Sequence, residues 1–461
     1  MSSSTTPTAP TAPQAIGTGG SGETLAAMLE DPQSLRTLGP AWLGSVRDQA
    51  IAKANELGLP TRKQEEWRYT NPKRIVEAAY ASPVRDIEPD AAAVQPLDLD
   101  HAARLVFIDG AFAPDASELD RLPAGVTALP FDHATPQPSD EDRETIEQLA
   151  GEGVAASRDG FEALGAGLAS HGVLIRVAGG AALEHPVVLV FRSEANATPT
   201  LTAPLVHIVL EPGAEARVIE DHQGDENAAG LTLGRTNLRV DRDARLEHVV
   251  LEREPADRHH VSTLHLVQQG HSFARTHRVL LGGGIVRNNV LATIEGEHAE
   301  SAFNGLFLPE HKQHHDNHVR VEHMAPHCHS RQYYRGLLAD DARGVFTGRI
   351  YVKDIAQKTD AVQSNANLLL SPTAQVTAKP QLEIYADDVK CTHGATSGEL
   401  DEEALFYLRT RGVEERTARL LLLHAFAGDN LNRIQNQQLR DRIRELVNDR
   451  LSAALLRVEA S

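Results

Sequence analysis

The chain has 461 residues, 41% of them apolar and 24% charged, and a formal net charge of −19. That length suits two or three domains, or one elongated architecture with appendages. The acidic balance argues against nucleic acid or an anionic membrane surface as a partner, since either needs a concentrated basic face.

No apolar run reaches the roughly 18 residues of a membrane-spanning helix. Two cysteines cannot build a disulfide framework, so a reducing, cytoplasmic setting fits best. Residues 1–21, rich in Ser, Thr, Pro and Gly, lack the basic and apolar regions of a signal peptide and read as a disordered leader.

From Gly22 the pattern is helical. ETLAAMLEDPQSLRTLG is followed by PAWLGSVRDQAIAKANELGLP, where Leu43, Val46, Ala50 and Ile51 form one stripe, Pro40 can open the helix and Gly58 with Pro60 can close it. TRKQEEWRYTNPKRIVEAAY adds a basic, aromatic piece around Trp67. Such a run can bind an anionic ligand, although a solvated helix face anchored by Trp67 is the simpler expectation. Residues 82–160 mix short strand-like pieces such as RLVFIDGAFA with acidic, Pro-rich connections, and read as a linking region that completes a first domain over 22–160.

Over 161–398, and clearly from His171, the pattern changes to short alternating apolar runs separated by turns. Four turn-into-strand segments resemble one another: PGAEARV from Pro212, RDARLEH from Arg242, GHSFARTH from Gly270 and GEHAESAF from Gly296. Their spacing of about 25–30 residues is a solenoid period. No intervening run reads as a crossover helix, so a parallel β-helix suits the pattern better than a β-sandwich. The amides Gln363, Asn365 and Asn367 recur with period two and could ladder between coils.

After Gly398 the chain returns to helix over 399–461. LDEEALFYLRTRG has acidic residues first and Arg411 with Gly412 last, which fits the helix dipole and a glycine stop. VEERTARLLLLHAFAGD and LNRIQNQQLRDRIRELVNDRLSAALL follow. The run Leu420–Leu423 points to a helical core or to a docked partner.

Two stretches carry metal-binding side chains. HKQHHDNHVRVEHMAPHCH (His311–His329) is dense in imidazoles and holds Cys328, but it lacks HExxH, the chain has no CxxC, and His327-x-His329 is followed by no cupin-like Glu. LEIYADDVKCTHGATSG (Leu382–Gly398) holds Cys391 and His393; in an extended run Val389, Cys391 and His393 share a face. A thiol and an imidazole on one face make a possible metal or cluster site, beside the plainer reading of core packing. No glycine is followed by lysine, so the chain has no P-loop and no nucleotide site of its own. The pairs Asp340–Asp341 and Asp387–Asp388 read best as turn residues.

DNHVRVEHMAPHCHSRQYYRGLLADDARGVFTGRIYV, AQKTDAVQSNANLLLS, AKPQLEIYADDVKCTHGATSG and LFYLRTRG, in this order, closely resemble the SufB/SufD family of iron–sulfur cluster assembly proteins. The KCTHGAT form, RKQEEWRYTNP and the tail around LLLHAFAG are similar to the SufD branch. The likeness covers most of the chain beyond the leader and is strongest from Asp316 to Gly428. It implies a mainly β fold, a right-handed parallel β-helix flanked by N- and C-terminal α-helical domains.

It also implies a non-catalytic scaffold subunit that pairs with SufB through the β-helix and docks the SufC ATPase on its C-terminal helices. By the same resemblance a nascent iron–sulfur cluster is shared with SufB, with His393 as metal ligand and Cys391 beside it at the seam. Reduced flavin is associated with the complex in the family, and the isolated chain could form a homodimer. The competing expectation is a stand-alone metal-dependent β-fold enzyme using the His311–His329 cluster.

Overall fold

The computed structural model describes residues 22–81 and 94–460. The leader expected over 1–21 lies outside the described residues. The fold is a parallel β-solenoid with helices at both ends of the chain. Each coil gives one strand to each of two ten-stranded sheets. The repeated segments predicted from the sequence fall in register: Glu215, Arg245, Phe273, Glu300, His329, Asp360 and Lys390 are successive partners along the first sheet.

The turns before the first six of these strands each hold one residue with positive φ. Gly213 supplies it at 73°, and Asp243, His271, His298 and His327 follow at 59–61°. Asp and His are among the side chains that tolerate this region. Three of these turn residues stack, with ring centroids 5.0 Å apart for His271 and His298 and 4.9 Å for His298 and His327.

Both sheets are buried on two faces, which is why their strands read as near-continuous apolar runs. The long helix Gln437–Ala460 and the helix Glu415–Leu431 lie on the outside of the first sheet, where Leu423, Leu431, Ile443 and Val447 pack on residues from Val106 to Leu337. The outside of the second sheet is covered by N-terminal segments through Trp67, Phe161 and Leu164. Inside, the solenoid is half apolar and half polar. Burial works to raise the Glu220 carboxyl, but hydrogen bonding to His222 and to His248, 2.7 Å away, overcomes it and holds the group below the usual range. Glu254 is held at about 2 in the same way, with His260 at 2.8 Å and Arg258 at 3.1 Å overcoming its burial.

The structure departs from the sequence reading in three places. The stretch read as a linking region contributes a strand to each sheet, Ala103–Ile108 and Val126–Phe131, and a 16-residue helix, Asp140–Ala155, capped by Ser139. The Trp67 segment is no solvated helix face, because Trp67 is 1% exposed and donates to Asp159 at 2.8 Å. The amide ladder does not form either. Asn365 and Asn367 bond to each other along one strand, at 2.7 Å, because the next coil places Ala395 and Ser397 beside them.

Candidate functional site

The chain leaves the solenoid at Gly398 and enters the helix Glu402–Thr410, capped by Asp401. Among the described residues the last coil, Gln375–Ile384 and Lys390–Gly398, therefore has a neighbouring strand on one side only. Lys390 donates its N–H to Thr359 O, at 2.8 Å, toward the body of the sheet. In a parallel ladder alternate residues turn their backbone groups to opposite edges. The N–H and C=O groups of Cys391, His393, Ala395 and Ser397 hence face the open edge. The other terminal strand carries Pro380 at an edge-facing position, since Gln375 and the odd residues after it bond inward. A missing N–H does no harm there, and it blunts that edge.

The side chains follow from the register. Ala361, Gln363, Asn365 and Asn367 are the buried positions of their strand, and Cys391, His393, Ala395 and Ser397 sit over them in the last coil. Cys391 and His393 thus share the inward face, as period two predicts. They differ in burial. Cys391 is half-buried and, with Val389, packs on Ile350, Val352 and Ala361, while His393 is exposed. Burial pushes the Cys391 thiol up, and the charge of Asp360 adds to this against a hydrogen bond from the Ala361 backbone, so the thiol is neutral at pH 7.

Two amides lie under His393: Gln363, one of the residues expected to ladder, and Gln332, which the sequence reading did not single out. They succeed the imidazole down the same column, both buried, and none of their four amide atoms has a hydrogen-bond partner. Gly348 faces them, where a Cβ would collide with Gln363 Nε2 and lie 2.8 Å from Gln332 Oε1. Buried amides without partners are disfavoured, and here they form the floor beneath an exposed imidazole.

The His311–His329 run is dispersed. His314 hydrogen-bonds Thr70 at 2.8 Å, His315 lies 2.8 Å from Gly282 O, His323 lies 2.9 Å from Ser330 Oγ, and His318 lies between Glu66 and Asp316. His311 and His327 are turn residues on different coils, and His329 is exposed near Asp360. Along a strand and its turns, histidines at these spacings face opposite sides of the sheet. The described residues contain no group of three His, Cys, Asp or Glu able to hold a metal ion. Cys328 is buried with Sγ 3.2 Å from Gly296 O. Asp340 and Asp388 serve turns, accepting from the His311 N–H and pairing with Lys358.

The C-terminal helices are anchored by Asn430, whose Nδ2 donates to Gly305 O at 2.9 Å and Tyr333 O at 3.1 Å while its Oδ1 lies 2.7 Å from His277 Nε2. Of the run Leu420–Leu423 only Leu423 is fully buried. Leu421 is 48% exposed, as are Phe406 (69%) and Tyr407 (57%) on the preceding helix. Nothing among the described residues covers this aromatic and aliphatic surface.

Comparison with known proteins agrees along the chain. The family model described as SUF system FeS cluster assembly, SufBD core domain, matches residues 191–426, and the SufBD protein N-terminal region matches 28–189. The chain is 32% identical to iron–sulfur cluster assembly protein SufD of Escherichia coli strain K12 over 405 residues, 87% of this chain and 92% of that protein. It is 28% identical to an iron–sulfur cluster assembly SufBD family protein of Synechocystis, over 88% of this chain and 90% of that one. It is also 28% identical to the chloroplastic protein ABCI7 of Arabidopsis thaliana, over 92% and 89%.

Proposed function

The chain belongs to the SufBD family of iron–sulfur cluster assembly proteins, and from that premise we propose that it is a non-catalytic scaffold subunit whose last coil pairs with SufB. The observation that carries this reading is the open edge of Lys390–Gly398, with Cys391 and His393 on its inward face. Main-chain groups on such an edge bind a second strand by β-addition. An isolated copy has the same edge to offer to another copy, which is the route to a homodimer.

Iron is the cargo here. An iron–sulfur cluster generally takes four ligands, mostly thiolates. This chain offers one cysteine at the seam, because Cys328 is buried elsewhere. SufB supplies the remaining ligands. His393 in its neutral form donates a nitrogen lone pair to iron, and protonation of that nitrogen releases it. Cys391 rests as a thiol and must lose its proton before it can assist. The exposed Phe406, Tyr407 and Leu421 are the surface for SufC, which brings the ATP-driven step that a chain without a P-loop cannot perform.

The test is anaerobic reconstitution of the complex with SufB and SufC. His393→Ala is expected to leave the complex intact by native mass and to abolish the cluster's visible absorbance. A normal cluster yield from that variant would overturn the assignment.

A further inference from the structure

A cavity of about 290 Å³ lies on the outer face of the second sheet, roofed by Gln64–Trp67 and by the start of the helix Gly160–Gly167. Its volume is at the low end for small-molecule sites. Its floor is made by four neighbouring strands, with Arg320 and Arg349 directly in register on two of them. Two guanidinium groups side by side repel each other, and a third, Arg158, stands at the mouth. Its pKa is lowered first by partial burial and next by the charge of Arg320.

Four acidic residues also line the cavity, but each is already engaged. Glu65 pairs with Lys379, and Glu66 lies 3.4 Å from His318 Nδ1. Asp159 accepts from Trp67 Nε1 and caps Glu162 N at 2.9 Å, and Glu162 accepts the Arg158 N–H at 2.9 Å. Among the cations, Arg287 is spent on Asp316 at 2.6 Å, Arg320 on Glu322 at 2.5 Å and Arg349 on Glu383 at 2.6 Å. Two donors are left over. The Arg158 guanidinium makes no hydrogen bond or close ion pair among the described residues, feeling Glu162, Glu322 and Glu66 only as neighbouring charges, and Arg349 Nε is buried with no partner.

We propose that this cavity binds a small oxyanion carrying at least two negative charges, of the phosphate or polycarboxylate class, between Arg158 at the mouth and the Arg320–Arg349 pair on the floor. Guanidinium forks match both chemistries in bidentate geometry. Arg287 ties the roof to the sheet, donating to Glu66 O at 2.8 Å and lying over the Trp67 ring, so the ligand would further join the N-terminal segment to the outside of the solenoid. The site is independent of the open edge, and the proposal does not rest on the role of His393.

Isothermal titration of the full chain with pyrophosphate and, separately, with citrate tests it. The expected result is saturable binding of at least one anion, weakened about tenfold or more in Arg158→Gln and in Arg349→Gln, as loss of a charge-assisted bond implies. The control Arg416→Gln, on a distant helix, leaves binding unchanged. Since the Arg158 guanidinium makes no bond in the fold, its replacement leaves the thermal midpoint of the unliganded chain in place. A preference for pyrophosphate or for citrate assigns the class. Absence of binding by both anions, undiminished binding in Arg158→Gln, or equal weakening by Arg416→Gln overturns the proposal.

Discussion

The two ends of the solenoid are built on opposite rules. At the N-terminal end the sheets are closed: Val126–Phe131 pairs antiparallel with His171–Val177, Ala111–Phe112 pairs antiparallel with Ala103–Ile108, and three helices pack over them. Even a charged residue is buried there. Arg47, 1% exposed, donates to the carbonyls of Leu168 at 3.2 Å, Arg36 at 3.1 Å and Pro40 at 3.2 Å. At the C-terminal end the last strand is exposed along nearly its whole length and half its backbone groups face outward. One end is finished within the chain, whereas the other is left open, to be finished by a partner under the function proposed above. Stability and function should therefore respond to different residues.

The largest effect expected is on acidification, and it falls on the buried body of the fold rather than on the open strand. Burial lowers the imidazoles of His171, His207, His277 and His315 to about 3, so they are neutral in the folded chain. In the unfolded chain they take a proton near pH 6.5. As the pH falls the unfolded state gains protons first, so stability present above 6.5 is lost progressively down to about 3. Each group contributes up to ~1.4 kcal/mol per pH unit. Carboxyls pushed up by burial, Glu252, Glu162, Glu247 and Asp109 among them, run the other way and gain on acidification, while the lowered imidazoles of His259, His265 and His323 add to the loss. Urea midpoints should fall steadily between pH 6.5 and 5, and a flat profile would show that these imidazoles are not held neutral.

Next comes Trp67→Ala, which removes a buried indole packed edge-on to Phe161 at 5.4 Å and bonded to Asp159. The expected loss is ~3–5 kcal/mol in chemical unfolding of the isolated chain. Asn430→Ala should cost ~1–3 kcal/mol, since it leaves His277 and two carbonyls unpaired. Hydrogen exchange in Glu415–Leu431 would report the loosened helix.

The smallest effect on the isolated chain is expected from Ala395→Pro, where the lost N–H faces the open edge. Its unfolding free energy should change by no more than ~0.5 kcal/mol, while association with SufB on a sizing column is lost. If Ala395→Pro destabilised the isolated chain as much as Trp67→Ala does, the distinction between the two ends would fall.

Much of this was legible in the sequence because it rests on short-range rules. The turn-into-strand segments from Pro212 to Gly296 reveal the coil period, since each needs the same left-handed turn residue. Asp401 and Gly412 mark the first C-terminal helix, and period two is enough to put Cys391 and His393 on one face. What escaped depends on contacts between distant segments. RLVFID is too short for its pattern to say that it joins a sheet with Val187–Ser193, some eighty residues later. Trp67 looked like the anchor of a solvated face because Asp159, its partner, is remote in sequence. The interior histidines around Glu220 break the rule that cores are apolar and become intelligible only when four strands are stacked. Likewise, the cations beside Trp67 come from Arg158, Arg320 and Arg349, and no local motif unites them.

The open edge of Lys390–Gly398 finally has a consequence for supply. A strand whose outward N–H and C=O groups are unpaired sticks to whatever strand it meets. Copies with nothing else to cover that edge meet mainly each other, and their self-association would grow with concentration. If SufB covers it as proposed, synthesis of the two chains in matched amounts guards against aggregation, and a cell that produced this one alone would accumulate assemblies joined at the wrong seam.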